Sequence, residues 1–255
     1  MIQSVDRAIR VLTALQGARR MSLSELSARL DLAPSTTHGI VRTLVEHGMV
    51  VQERGSSRYQ LGPAVLRLGN VYLDTLELRS KAIPWAEDLA RRTSLAVRTG
   101  VLLIDDVVII HHEPRPDGSR QMPEVGIVIP AHASALGKAI LAFAPDAAER
   151  MFGDGDLRSM TGETVTSPDD IRRQLADVRA TGIAREQDEA VLGEGVIASP
   201  VFDSWGDVVG AIGVVVSGSA EADLPESDPA GQVRETARAL SRELGAQSWP
   251  PPARV

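Results

Sequence analysis

Three short stretches of the chain hold residue types able to do chemistry. "PSTTHG" sets Ser35, Thr36, Thr37, His38 and Gly39 behind Pro34, at the start of a segment striped with Ile40, Val41, Leu44 and Val45. Ser and Thr are mediocre helix formers. Clustered at a helix start, their hydroxyls and the free N–H groups suit phosphate oxygens and base edges. "AHASALGK" offers His132 and Ser134, which with Glu186 would supply a base, a nucleophile and an orienting carboxylate. Ser134 lacks the G-x-S-x-G elbow. The chain has no cysteine and no phosphate-binding loop, so catalysis is not expected. "IIHHE" places His111, His112 and Glu113 in a row. Adjacent strand residues point to opposite faces, so His111 and Glu113 share one. No third ligand is marked, and a strand end with exposed His is the simpler account. Neither a metal nor another cofactor is expected.

The elements around the first stretch decide how to read it. Ser4 is the expected cap of a helix carrying Val5, Ala8, Ile9, Val11, Leu12 and Leu15, with Gly17 as its stop. Ser22 and Glu25 are spaced as a capping box for a short helix with Leu23, Leu26 and Leu30. Asp31 and Leu32 make a tight turn, and Pro34 suits the first position of the next helix, which runs to Gly48. "MVVQERGSSRYQLG" then reads as a hairpin with Gly55, Ser56 and Ser57 at its tip. Three helices and a hairpin are the order of a winged helix-turn-helix, whose third helix enters the major groove by its N-terminal end. The expected DNA-facing set is Ser22, Ser35, Thr36, Thr37, His38, Gly39, Arg42 and Thr43, with Arg54, Ser57 and Arg58 on the wing. The competing account has Ser35 and Thr36 merely starting a core helix.

Charge favours DNA. The chain is −7 overall, yet residues 1–62 hold eight Arg and no Lys against five acidic residues. A basic head on an acidic body points to a polyanionic partner for the head alone. With 43% apolar residues the chain can build a packed core. No run of about 18 apolar residues marks a membrane span, and the N-terminus has no secretory pattern, so the expected location is the cytoplasm.

Residues 63–79 keep helical periodicity and read as a linker helix with an apolar face suited to a second subunit. The body, residues 80–247, mixes strands ("LAVRTGVLL", "DVVIIHHE", "EVGIVIP", "GVIASPVFD", "DVVGAIGVVVSG") with helices capped by Ser134 and Ser167 and a last helix over "AGQVRETARALSRELG". Without strict βα alternation, the expected class is α+β with an antiparallel sheet. Residues 248–255, "SWPPPARV", are expected to fray.

The motifs "SVDRAIRVLTAL", "MSLSELSARLDLAPSTTHGIVRTLVEHGMV", "RYQLGPAVLRLG", "PAHASALGKAILA" and "SPVFDSWGDVVGAIGVVVSG" resemble the IclR family of bacterial transcription regulators along nearly the whole chain. "STTHGIVRTL", "YLDTLELRSKA" and "IIHHEPRPDGSRQMPEVG" resemble its glycerol operon regulators from high-GC bacteria, and 25 Arg against two Lys fits such a genome. The resemblance implies a winged-helix head, a linker helix and a GAF-like effector domain. It implies double-stranded operator DNA as partner, a homodimer or tetramer, and a small-molecule effector, glycerol or glycerol 3-phosphate first. Repression of a catabolic operon, relieved by an inducer, is the implied role. The alternative is an activator of another catabolic operon that answers a small organic acid or aromatic compound. The effector would lie between the "ALGKA" helix start and the sheet, with Ile129, Ala135, Leu136, Gly137, Glu186, Val196, Gly213 and Val215 as lining. Members that take small carboxylates often have Asp, Cys and Ser on that wall. Here Glu186, Val196, Gly213 and Val215 stand instead, leaving fewer polar side chains for an anion.

Overall fold

The computed structural model describes residues 2–153, 157–217 and 228–251. The chain divides into two compact units after Thr75.

The first unit runs α1 (Gln3–Ala18), β1 (Met21–Ser22), α2 (Leu23–Leu30), α3 (Pro34–Glu46), β2 (Val50–Gln52), β3 (Arg58–Leu61) and α4 (Pro63–Thr75). Val11 and Leu15 of α1, Leu26 and Leu30 of α2, and Val41 and Leu44 of α3 recur at helical spacing and close one apolar core with Val50. Truncating such a buried Leu to Ala typically costs about 2–5 kcal/mol. The turn between α2 and α3 is made by Asp31 in the left-handed region (φ 54), with the Leu32 N–H donating to the Ser27 carbonyl at 3.0 Å. The hairpin β2–β3 pairs Val50 with Leu61, and β1 adds a third strand beside β3.

Three local expectations change. Ser4 is not the cap of α1, because the helix begins at Gln3 and the Ile2 carbonyl accepts from the amides of Val5 and Asp6. Gly17 does not stop the helix, which ends one residue later, where Arg19 turns to φ 62. The periodic segment 63–79 is two helices: α4 closes at Thr75, whose hydroxyl donates to the Tyr72 carbonyl at 2.7 Å. A new helix, α5 (Glu77–Thr93), follows Leu76, which has an extended backbone.

The second unit continues from α5 with β4 (Ala96–Leu103), β5 (Asp106–Glu113), β6 (Val128–Pro130), a 3-10 turn (Ala131–Ala133), α6 (Ala135–Leu141), α7 (Pro145–Gly153), α8 (Pro168–Thr181), β7 (Ala184–Gln187), β8 (Glu194–Phe202), β9 (Val208–Ser217) and α9 (Pro229–Glu243). The six strands form one antiparallel sheet in the order β6-β5-β4-β9-β8-β7. Ser134, Ser167 and Asp228 cap α6, α8 and α9. One sheet face packs with α6, α7 and α8 around Leu136, Ile140, Leu141, Ile171 and Leu175. The expected strand over "EVGIVIP" narrows to Val128–Pro130.

Part of the expected frayed tail is fastened: the Trp249 indole N–H donates to the Pro200 carbonyl at 3.0 Å and its ring meets Phe202 edge-on at 6.4 Å. A half-buried aromatic ring with its polar tip satisfied holds a segment that lacks helix or strand. Residues 252–255 lie outside the described residues. Among the described residues, no helix is long and apolar enough to cross a membrane.

Candidate nucleic-acid interface and effector site

α3 sorts the polar residues of its first turns by helical phase. Ser35, His38, Gly39, Arg42 and Thr43 are exposed along one face and Thr36 is half-buried at its margin. Thr37 lies on the opposite face, fully buried beside Val41, and its hydroxyl donates to the Ala33 carbonyl at 3.3 Å. Thr37 therefore leaves the expected DNA-facing set: its position in the 3.6-residue period turns it into the core. No side chain caps α3, and its first intrahelical bond starts from the Thr37 N–H. The N–H groups of Ser35 and Thr36 thus precede the ladder, at the positive end of the helix dipole. Arg42 pairs with Glu46 at 3.3 Å and keeps 72% of its side chain exposed.

Two other sequence-selected residues are committed within the head. The Ser22 hydroxyl accepts from the Glu25 amide at 3.2 Å, and the Ser22 amide donates to the Glu25 carboxylate at 2.7 Å, a complete capping box. Arg58 donates to both Glu25 oxygens, at 3.0 and 3.2 Å, and to the Arg20 carbonyl at 3.3 Å. Arg54 and Ser57 stay exposed at the wing tip. Arg20 ties the wing from below through Glu53 at 2.7 Å.

In the body, the strand register assembles the expected effector wall. Glu186, Val196, Val215 and Ala96 form one rung across β7, β8, β9 and β4. The next rung is Ala184, Ala198, Gly213 and Arg98. Ala135 and Leu136 of α6 share a core with Val196 and Val215, and Ile129 packs against it. Gly137 is required by packing: a Cβ there would overlap the Ala131 carbonyl. A Cβ at Gly213 would meet the Ile197 carbonyl at 2.6 Å. At the start of α6 the Ser134 hydroxyl accepts from the Gly137 amide at 3.2 Å.

The wall is more polar than its sequence positions suggest. Arg98, only 7% exposed and beside Gly213 in the register, forks between Glu124 and Glu194, with contacts of 2.9 and 3.2 Å from one guanidinium nitrogen. Burial opposes its charge, but the two carboxylates outweigh that and hold the guanidinium above its ordinary value. His112 faces Arg98 across β4 and β5, and burial lowers its pKa. Burial pushes the Glu186 carboxyl up to about 7, opposed by the Glu189 amide and reinforced by the Glu189 and Glu194 carboxylates. Buried Lys138 of α6 pairs with Glu189, whose backbone and carboxylate also hold Thr161, Thr164 and Val165. Sequence reasoning missed Arg98, Glu124, Glu194, Lys138 and Glu189. The one available signal was a lone Arg inside the apolar run "LAVRTGVLL".

The remaining candidates separate. The His132 ring Nε2–H donates to the Arg158 carbonyl at 3.1 Å, and burial lowers its pKa. His111 lies 3.8 Å from Glu113, beyond hydrogen-bond reach, and its buried Nε2 has no hydrogen-bond partner among the described residues. Among the described residues no three metal-ligating side chains gather. A cleft of about 590 Å³ lies between α8, β7 and the start of α9, lined by Gln174, Asp177, Thr181, Arg185 and Arg234. None of the eight expected effector residues lines it. Its rim is exposed charge, whereas small-molecule sites are mostly apolar with a few convergent polar groups.

Comparison with known proteins agrees with this geometry. Residues 4–54 match the family described as IclR helix-turn-helix domain, and residues 70–242 match Bacterial transcriptional regulator IclR C-terminal. The chain is 42% identical over 250 residues to the glycerol operon regulatory protein of Streptomyces coelicolor and 44% identical to that of Streptomyces griseus. Each alignment spans 96% of this chain and 97% of the relative. An IclR homolog from Microbacterium hydrocarbonoxydans complexed with 4-hydroxybenzoate superposes with a TM-score of 0.75 at 25% identity, covering 95% of this chain and 99% of that one. Both units of the chain thus match, and the chain belongs to the IclR family of transcriptional regulators.

Proposed function

We propose that the protein represses a catabolic operon, with a glycerol operon as the first candidate, and releases it when a small inducer enters the body. The exposed face of α3 carries this reading: Ser35, His38, Gly39, Arg42 and Thr43 stand clear of the core on a helix with no side-chain cap. Such a face lets hydroxyls, N–H groups and one long cation meet base edges and phosphates together. Arg54 and Ser57 would meet the flanking backbone.

The DNA-bound form is a homodimer or a dimer of dimers. Ile2 and, on α1, Val5 and Ile9 leave more than half their surface exposed, as do Leu66, Leu68, Val71 and Tyr72 of α4. α4 buries none of its residues. Clusters of this size on a soluble regulator mark protein contacts, and a two-fold dimer presents two recognition helices to two half-sites. The effector would sit between Ala135–Gly137 and the rung of Glu186, Val196 and Val215. The names of the two glycerol operon relatives suggest glycerol or glycerol 3-phosphate.

The test is a mobility shift of the full chain on its own upstream intergenic DNA, with each compound titrated in. A specific shift that one compound reverses supports the reading. A shift that neither compound alters discards glycerol, and loss of all sequence preference discards the operator.

A further inference from the structure

Nothing inside the protein calls for a glycine at position 39. A glycine in a helix interior destabilises it relative to alanine, because its backbone loses more freedom on folding. The fold explains such a residue where the backbone is left-handed or where a Cβ has no room. In the first unit Gly48 (φ 69) and Gly55 (φ 83) are of the first kind, and Gly62, whose Cβ would overlap the Gly48 carbonyl, is of the second. Gly39 is neither. It lies inside α3 on ordinary helical backbone, and a Cβ there would meet nothing within 4 Å. Gly17, in the last turn of α1, and Gly69, on the exposed α4, share that freedom.

Its place on the helix says what the missing side chain leaves open. Residues three and four apart are neighbours on a helix surface. Ser35 stands one turn before Gly39, Arg42 and Thr43 one turn after, and all three are exposed. The bare Cα is therefore a notch in the middle of the outward face, ringed by two hydroxyl side chains and a guanidinium. The Thr43 hydroxyl donates back to the Gly39 carbonyl at 3.1 Å. The notch itself thus offers an incoming surface backbone already bonded within the helix and no side-chain donor or acceptor.

We propose that this notch seats the C5-methyl of an operator thymine, so that Gly39 reads one base by the side chain it lacks. The proposal deepens the operator reading above and rests on it. Most groups on the major-groove edges are hydrogen-bond donors and acceptors, which suit Ser35 and Arg42; the thymine methyl is the apolar group that projects into the groove. An apolar projection matches a hollow with no polar side chain of its own. An alanine at position 39 would place a second methyl where the base methyl belongs, and rejection by such a clash is a recurrent source of specificity. The helix accepts a weaker interior turn, and the operator gains a closer fit.

The experiment is a set of competition mobility shifts of the full chain on its own operator, for wild type, Gly39→Ala and Gly17→Ala, with each operator thymine replaced in turn by uracil, which removes only the methyl. Amide hydrogen exchange of α3 is measured on the same proteins. Gly39→Ala is expected to slow that exchange by about fivefold, as a better helix former, and yet to weaken operator binding by about tenfold. At one thymine, uracil is expected to weaken wild type and to restore much of the binding of Gly39→Ala, a coupling that two independent defects do not produce. Gly17→Ala should leave operator binding unchanged. Operator binding by Gly39→Ala as tight as wild type overturns the proposal and leaves the operator reading standing. A weakening that no uracil relieves, or one that Gly17→Ala shares, also overturns it, because the clash is then not with a base methyl at Gly39. Unslowed exchange removes the premise that the glycine weakens α3 and overturns it too. Wild-type protein with no preference for the operator over unrelated DNA overturns the operator reading, and the proposal with it.

Discussion

Arg58 on the wing and Glu25 on α2 are joined by two parallel N–H···O contacts of 3.0 and 3.2 Å. The same carboxylate accepts from the Ser22 amide, so one side chain caps α2 and locks the hairpin to it. Both effects hold the Glu25 carboxyl below the usual range, the Ser22 bonds more strongly than Arg58.

This arrangement gives a sign test. A carboxylate beside DNA repels phosphates, so deleting a mere bystander strengthens operator binding. Glu25 positions the wing, so Glu25→Ala is expected to weaken operator affinity in a mobility shift, as Arg58→Ala does. Tighter binding by Glu25→Ala shows that the fastening does not matter to DNA contact.

Arg42 and Thr37 occupy opposite phases of α3, and their variants should part company. Arg42→Ala is expected to weaken operator binding by about 1–3 kcal/mol and to relax preference at one base position. Thr37→Val removes a buried hydroxyl bonded to the Ala33 carbonyl. It should lower unfolding stability by about 1 kcal/mol and leave the salt dependence of binding unchanged. Competition mobility shifts with single-base operator variants, together with urea denaturation, read both. Equal binding defects in the two variants contradict the phase assignment.

Glu186 gives the body a pH dependence. Its carboxyl rises from 4.5 to about 7 on folding, chiefly by burial. The folded state then binds more protons than the unfolded chain between those values, so this group's contribution to stability falls as pH rises through that window. The full difference is about 3 kcal/mol. Glu186→Gln should match wild type near pH 4.5 and melt several degrees higher at pH 8. Parallel melting curves for the two proteins across pH 5–8 contradict the burial.

Lys138 and Glu189 form a pair with side chains 1% and 7% exposed. Lys138→Met leaves the Glu189 carboxylate buried without its cation and is expected to cost about 3–5 kcal/mol. Lys138→Met combined with Glu189→Gln should recover much of that loss, because no unpaired charge remains. Urea unfolding of both singles and the double supplies the comparison. Additive losses indicate two independent roles rather than a pair.

Local chemistry determined much of this protein from its sequence. Ser22 with Glu25, Ser134 and Ser167 capped the helices they precede, because a cap needs only the amides two or three residues ahead. The order of three helices and a hairpin followed from apolar spacing and turn residues. The rungs of the antiparallel body did not, since period-two alternation names a strand's faces and not its neighbours. Thr37 and Ser35 read alike as polar residues at a helix start, and only the packing of α3 against Val11 and Leu26 sent one inward and left the other outside. Arg98, Glu124 and Glu194 are 26 and 96 positions apart along the chain, and Lys138 and Glu189 are 51 apart. No spacing rule links charges at such separations. The curled sheet brought them together, and low-dielectric burial made their pairing obligatory.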